Sequence, residues 1–122
     1  VEARELVGEC IRRWPDTFVL GNDVGVRIEG RRYPEPVGPG AGCPPLDGIS
    51  KAPGINPFTP EGTLADADRD GIDHMVFYPS FGLCAPSIED RNIAIGFARL
   101  YNEWMVDWCR RGQGRFHGVA VA

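Results

Sequence analysis

Few residues of this chain combine the types and spacing that metal or acid-base chemistry requires. The strongest pattern is Asp66-Ala-Asp68-Arg-Asp70-Gly71, which matches the first six positions of a calcium-binding EF-hand loop. The remainder of the loop does not fit, because Phe77 stands at the twelfth position, where calcium needs a bidentate glutamate. The segment therefore favours a solvated acidic helix face over a calcium site.

The two histidines, His74 and His117, each fall near the start of a predicted strand. Sites in alternating α/β folds assemble at the carboxyl ends of strands, so both histidines lie at the opposite end. The sequence contains no His-x-His and no His-Glu pairing. We therefore expect structural or hydrogen-bonding roles for both side chains rather than metal ligation.

One segment with chemical potential does follow a strand at its carboxyl end. Tyr78, Ser80 and Phe81 supply a phenol, a hydroxyl and an aromatic ring directly after the first predicted parallel strand. Such a loop suits the wall of a pocket for an apolar or aromatic ligand, although packing at a helix entry explains the same residues equally well. We predict these three as substrate-binding residues, and we predict no catalytic or metal-ligating residue in the chain.

The pattern of residues 61–122 predicts a helix, a strand, a second helix and a second strand, which indicates an α/β fold. The strands are predicted at 72–78 and 116–122, joined by a crossover helix of about 24 residues, as neighbouring parallel strands require. Ser87 is the predicted helix cap, with Asp90 as its capping-box partner. The first strand is nearly all apolar, which predicts burial on both faces and further strands beside it.

The upstream half has a different character. Residues 1–33 predict an amphipathic helix at 2–13, followed by short strands that form a hairpin. Residues 34–60 contain eight of the eleven prolines together with several glycines. That composition predicts either a lid-like loop or a loose surface connection. We predict that all 122 residues form one partial domain, either as a piece of a longer gene product, which the first residue Val1 favours, or as the whole product.

The composition excludes several classes of function. A net charge of -4 gives no electrostatic basis for binding nucleic acid or an anionic membrane surface. No apolar run is long enough to span a bilayer, and the chain opens without a secretory signal. The four cysteines lack a Cys-x-x-Cys spacing, which predicts free thiols and a cytoplasmic location.

Four motifs in the same order resemble those of amidohydrolase-related proteins, the family that includes enzymes like aminocarboxymuconate-semialdehyde decarboxylase. The segment 64–79 resembles the family's helix that leads through Gly-Ile-Asp into an apolar strand ending in proline. The other three are a hairpin at 28–34, Tyr101-Asn102-Glu-Trp104 in the following helix, and the strand opening at 114–118.

The resemblance implies a partial (β/α)₈ TIM barrel, with 72–78 as its second strand and 116–122 as its third. It also implies a full-length enzyme that hydrolyses or decarboxylates a small, often aromatic, carboxylic acid with a divalent metal, zinc or manganese. The family's metal ligands belong to segments outside this sequence, so the 122 residues alone are expected to be inactive. The alternative is a non-catalytic barrel piece that self-associates through exposed strands. The expected partner is accordingly the remainder of the barrel or a second copy of the chain.

Overall fold

The computed structural model describes residues 3–20, 26–33, 59–79 and 81–122, so most of the predicted lid at 34–60 lies outside the described residues. In chain order the elements are α1 (Ala3–Arg13), β1 (Phe18–Leu20), β2 (Val26–Ile28), β3 (Arg31–Tyr33), α2 (Pro60–Asp70), β4 (Met75–Phe77), a 3₁₀ helix (Phe81–Ser87), α3 (Arg91–Arg111) and β5 (Phe116–Gly118).

The strands form two separate small sheets. Strands β1, β2 and β3 make an antiparallel sheet, in which the turn between β2 and β3 places Glu29 and Gly30 at positive φ. Strands β4 and β5 pair in parallel, with Met75 opposite Phe116 and Phe77 opposite Gly118. The chain is therefore a mixed α/β protein, and its described residues do not close a barrel.

Helix α2 begins and ends where its sequence predicts. The Thr59 hydroxyl accepts a hydrogen bond from the Gly62 N–H at 3.1 Å, and Pro60 occupies the first turn, where its missing N–H costs nothing. Gly71 ends the helix at φ 71°, a left-handed conformation that glycine adopts without strain. Strand β4 follows four residues later.

Helix α3 begins one turn later than the sequence predicts, and Asp90 rather than Ser87 is its cap. One carboxylate oxygen of Asp90 accepts the N–H groups of Asn92 at 2.8 Å and Ile93 at 3.2 Å. A charged carboxylate that satisfies two orphan donors is a stronger cap than a hydroxyl. Ser87 instead ends the 3₁₀ helix, and α3 has 21 residues rather than about 24.

The core forms around α3. On one side, Phe97, Tyr101 and Met105 pack with residues of α1 and the antiparallel sheet, including the fully buried Phe18. On the other side, Trp108 packs with Leu64 of α2 and Phe116 of β5. Burial of each large apolar side chain contributes roughly 1.5–3 kcal/mol, so α3 joins two otherwise small cores. None of the described helices is long and apolar enough to cross a membrane.

The parallel sheet is covered on one face only, contrary to the predicted burial on both faces. Met75 and Phe77 point toward the helices, and Phe77 packs edge-on against Trp108 and Phe116. Val76, which alternates with them, is 57% exposed. Among the described residues nothing covers the opposite side of β4, and we call this side the open face.

A single carboxylate ties the antiparallel sheet to the entry of α3. Glu29, in the β2–β3 turn, accepts backbone hydrogen bonds from Glu89 at 2.6 Å and from Asp90 at 3.2 Å. Both N–H groups lie just before the first turn of α3. Backbone N–H groups at this end of a helix have no hydrogen-bond acceptor within the helix. The contact spans 60 residues of sequence and fixes the hairpin against the helix.

We expect Glu29→Gln to destabilise the fold by about 1 kcal/mol, because the amide oxygen is a weaker acceptor than the charged carboxylate. Glu89→Gln removes a neighbouring carboxylate and leaves the backbone N–H of this contact in place, so it is the matched control. Urea unfolding followed by circular dichroism measures both. Equal midpoints for the two variants would contradict the role of the Glu29 side chain.

Candidate functional site

Tyr78 is the first of the three predicted pocket residues, and it directly follows β4. It alternates with Val76 along the strand, so it lies toward the open face, where it is 76% exposed. Ser80 lies outside the described residues, and only the backbone of Phe81 is described, as the first residue of the 3₁₀ helix. The pocket of Tyr78, Ser80 and Phe81 therefore stays a prediction. Tyr78 is exposed to solvent, as a residue that meets a ligand in such a pocket must be.

The loop that follows Tyr78 packs closely on the end of the chain. A Cβ on Gly82 would lie 2.7 Å from both Pro79 Cβ and Val121 Cγ2, closer than side-chain carbons approach. Glycine is thus the residue that allows this turn to contact Val121. The packing holds the carboxyl end of β4 beside the segment that continues β5.

Asn102 of α3 holds that same segment by its backbone. Its amide nitrogen donates to the Val121 carbonyl at 2.8 Å, and its amide oxygen accepts from the Val121 N–H at 2.9 Å. The two hydrogen bonds reproduce those that a neighbouring strand would make. The sequence shows Asn102 beside Tyr101 within α3, but neither the helical pattern nor the motif resemblance predicts this contact.

Tyr101, beside Asn102, is buried against Trp104 with ring centroids 5.7 Å apart. Its hydroxyl, like the indole nitrogen of Trp108, has no hydrogen-bond partner among the described residues. Burial raises the pKa of Tyr101 to about 12. The side chain remains a neutral phenol near pH 7 and is unsuited to act as a base.

Two thiols are equally unsuited to nucleophilic chemistry. Cys10 is fully buried, and burial raises its pKa to about 12; burial also raises the pKa of the Cys109 thiol. The thiolate is the reactive form, so both side chains stay protonated and inert near neutral pH. Both are free cysteines, as the sequence predicts.

The acidic residues of the calcium-like motif are engaged by arginines on α2 and beyond. Arg69 forms ion pairs with Asp66 and Asp70, each at 3.1 Å. Asp68 pairs with Arg115, whose guanidinium also donates to the carbonyl oxygens of the α2–β4 connection. These contacts agree with the predicted acidic helix face, and they fasten α2 to the start of β5.

The two histidines meet on the open face of the parallel sheet, where His74 directly precedes β4 and His117 is the middle residue of β5. His74 Nδ1 lies 3.2 Å from His117 Nε2, and the ring centroids are 5.3 Å apart. Both side chains are exposed, and His117 stands directly opposite Val76 in the strand register. The geometry agrees with the predicted hydrogen-bonding role, although the sequence does not reveal that the partner of each histidine is the other.

The remaining features of the described surface offer little chemistry. An open groove of about 830 Å³ lies between α1 and α3, lined by Leu6, Leu100, Trp104 and several charged residues. The described residues contain no group of three or more histidine, cysteine, aspartate or glutamate side chains placed to hold a metal ion.

Comparison with known proteins identifies no relative of this chain. No protein-family model, no characterised protein and no solved structure matches it.

Removal of the Asn102 side chain should loosen the end of the chain. We expect Asn102→Ala to destabilise the fold by about 1–2 kcal/mol and to accelerate amide hydrogen exchange at Val121, because both backbone groups lose their partner. Asn92→Ala, at an exposed position near the start of α3, is the control. Unchanged exchange at Val121 would show that the paired hydrogen bonds do not hold this segment.

Proposed function

We propose that this chain forms part of the barrel wall of a metal-dependent amidohydrolase-like enzyme. The enzyme would hydrolyse or decarboxylate a small carboxylic acid, aromatic acids included. In this role the described residues are scaffold and pocket wall, and the reacting groups lie elsewhere in the enzyme. The motif order, the parallel strand pair and the open face support the proposal.

The order of elements is one supporting observation. Strand β4, helix α3 and strand β5 form a parallel unit with a helical crossover, the repeating unit of α/β barrels. Gly118 of β5 lets α3 approach closely, since a Cβ there would lie 2.3 Å from Met105 Cγ. Close helix–strand packing on one face leaves the other face for the interior of a barrel.

The exposure of Val76 on the open face is the main observation that supports the proposal. Val76 is a β-branched apolar residue in the middle of a strand, yet it is 57% exposed. In a closed barrel, residues of this parity point inward and pack in layers with those of the other strands. Strands that complete such layers would bury Val76 together with its neighbours.

Tyr78 is the described residue best placed to meet a substrate. It stands at the carboxyl end of β4 on the open face, the position from which barrel enzymes present their pocket residues. Its phenol offers a hydrogen bond to a carboxylate or a hydroxyl group and a flat surface for an aromatic ring. We assign it to binding rather than to catalysis.

The described residues do not fit the metal that the family resemblance implies. They contain no three-ligand cluster, and the carboxylates of α2 are paired with arginines. The metal of the proposed enzyme must therefore be held by groups other than these. What this chain contributes to the proposed pocket is the position of Tyr78 at the carboxyl end of β4.

In the complete enzyme, Tyr78→Ala should raise KM for the carboxylic acid about tenfold while kcat changes little. The reason is that the phenol would contact the substrate equally in the ground state and in the transition state. The KM of Tyr78→Phe should lie between those of Tyr78→Ala and the wild type. Ile95→Ala, at an exposed position on α3, is the control. Steady-state kinetics measure all three variants.

The same enzyme should lose activity on dialysis against a chelator and regain it with zinc or manganese. Activity that survives complete metal removal would overturn the metal-dependent mechanism.

A second candidate function, supported by the same open face, is self-association of the 122-residue chain through its parallel strands. Burial of Val76 and Tyr78 between two copies would remove apolar surface from water. Val76→Lys should then shift a dimer toward monomer, because a charge would be buried at the interface.

Val106→Lys is the matched control, since Val106 is 49% exposed on α3. Sedimentation velocity distinguishes the outcomes. A wild-type monomer that unfolds cooperatively would argue against self-association and against the need for further strands.

A further inference from the structure

Among the described residues, His74 and His117 form a pair of ligating side chains to which the barrel-wall role assigns no task. His74 directly precedes β4 and His117 is the middle residue of β5, yet their ring nitrogens approach to 3.2 Å. His117 stands opposite Val76, so the pair lies on the open face, on the amino-terminal side of Tyr78. Barrel enzymes assemble their pockets at the carboxyl ends of the strands, so the pair lies below the proposed pocket.

We propose that His74 Nδ1 and His117 Nε2 together bind a divalent transition-metal ion of the zinc type. Zinc binds imidazole nitrogen at about 2.0–2.1 Å in tetrahedral geometry, which places two adjacent ligand nitrogens about 3.3 Å apart. The observed separation of 3.2 Å is close to that spacing. Small rotations of the two rings would direct both lone pairs at a common ion.

The backbone fixes the positions from which the two rings reach the ion. The parallel register sets Val76 opposite His117, and the Met75 N–H, directly after His74, donates to the Arg115 carbonyl at 2.9 Å. Because the strands are held in place, two ligands arrive with little further ordering of the chain. The sheet thus provides a chelating pair rather than two independent histidines.

Access and local charge also suit a cation. Both rings are exposed, so water has access to the remaining coordination positions of an ion held by the two imidazoles. The nearest described cation along the strand, Arg115, is paired with Asp68 and donates to two backbone carbonyls at the α2–β4 connection. Its charge is thereby partly compensated on the side of α2.

A bound ion would link the two strands at this edge. Neither strand pairs over more than three residues in the described ladder, so a metal bridge between His74 and His117 would add a cross-link to a short sheet. An ion that binds only the folded chain raises its stability by mass action. The site would therefore serve as a structural clip between the start of β4 and β5 in the 122-residue chain.

Zinc chloride added to the ¹⁵N-labelled 122-residue chain tests the site directly. We expect one equivalent of zinc to move the ¹⁵N resonances of His74 Nδ1 and His117 Nε2 together, and to raise the midpoint of thermal unfolding. The chain has only these two histidines, so the ring signals are unambiguous. Readout at the ring nitrogens also separates this site from zinc bound by cysteine thiols.

His74→Gln and His117→Gln should each weaken zinc binding at least about tenfold in calorimetric titration, because a chelating ligand is lost. Arg110→Gln, at an exposed position near the end of α3, is the control and should bind like the wild type. Both histidines are exposed, so the variants should keep the circular dichroism spectrum of the wild type. Zinc that leaves the ring nitrogens unmoved, or binds both glutamine variants as tightly as the wild type, would overturn the proposal.

Discussion

The apolar surface of α3 is the constraint on which the rest of this structure depends. Phe97, Tyr101, Met105 and Trp108 are buried along one helix, and no single neighbouring element covers them all. Helix α1 and the antiparallel sheet cover the first part, while α2 and the parallel strands cover the last. Each small unit lacks a core of its own, so their stability comes from sharing this helix.

Polar contacts then set the angles at which the units meet α3. Glu29 joins the hairpin to the start of the helix, Asn102 joins its middle to Val121, and Arg111 pairs with Glu61 of α2 near its end. Each contact joins residues that are far apart in the sequence. In each, a charged or amide side chain binds a backbone group or a carboxylate. Such contacts contribute modest free energy but permit few alternative arrangements.

The sequence predicts the local features of this fold well and its long-range contacts poorly. Thr59, Pro60 and Gly71 define α2 correctly because caps depend on neighbouring residues, and the stripe on α3 predicts its buried face because its period is that of the helix. The sequence predicts the start of α3 one turn too early because Ser87 and Asp90 are both competent caps, and it is the Asp90 carboxylate that accepts the two free N–H groups. The meeting of His74 with His117 depends on strand register, which no local pattern encodes.

The amide of Asn102 also occupies the inner edge of the segment that continues β5. Beyond Gly118, the Val119 N–H still bonds to the Phe77 carbonyl, but Pro79 has no N–H with which to continue the ladder. Asn102 supplies the missing hydrogen-bond partner of Val121, so the backbone groups of Val121 are satisfied without a neighbouring strand. In a strand, alternate residues turn their backbone groups to opposite edges, so the groups of residues 118 and 120 face away from β4. Any additional strand joining β5 would therefore attach at that outer edge alone.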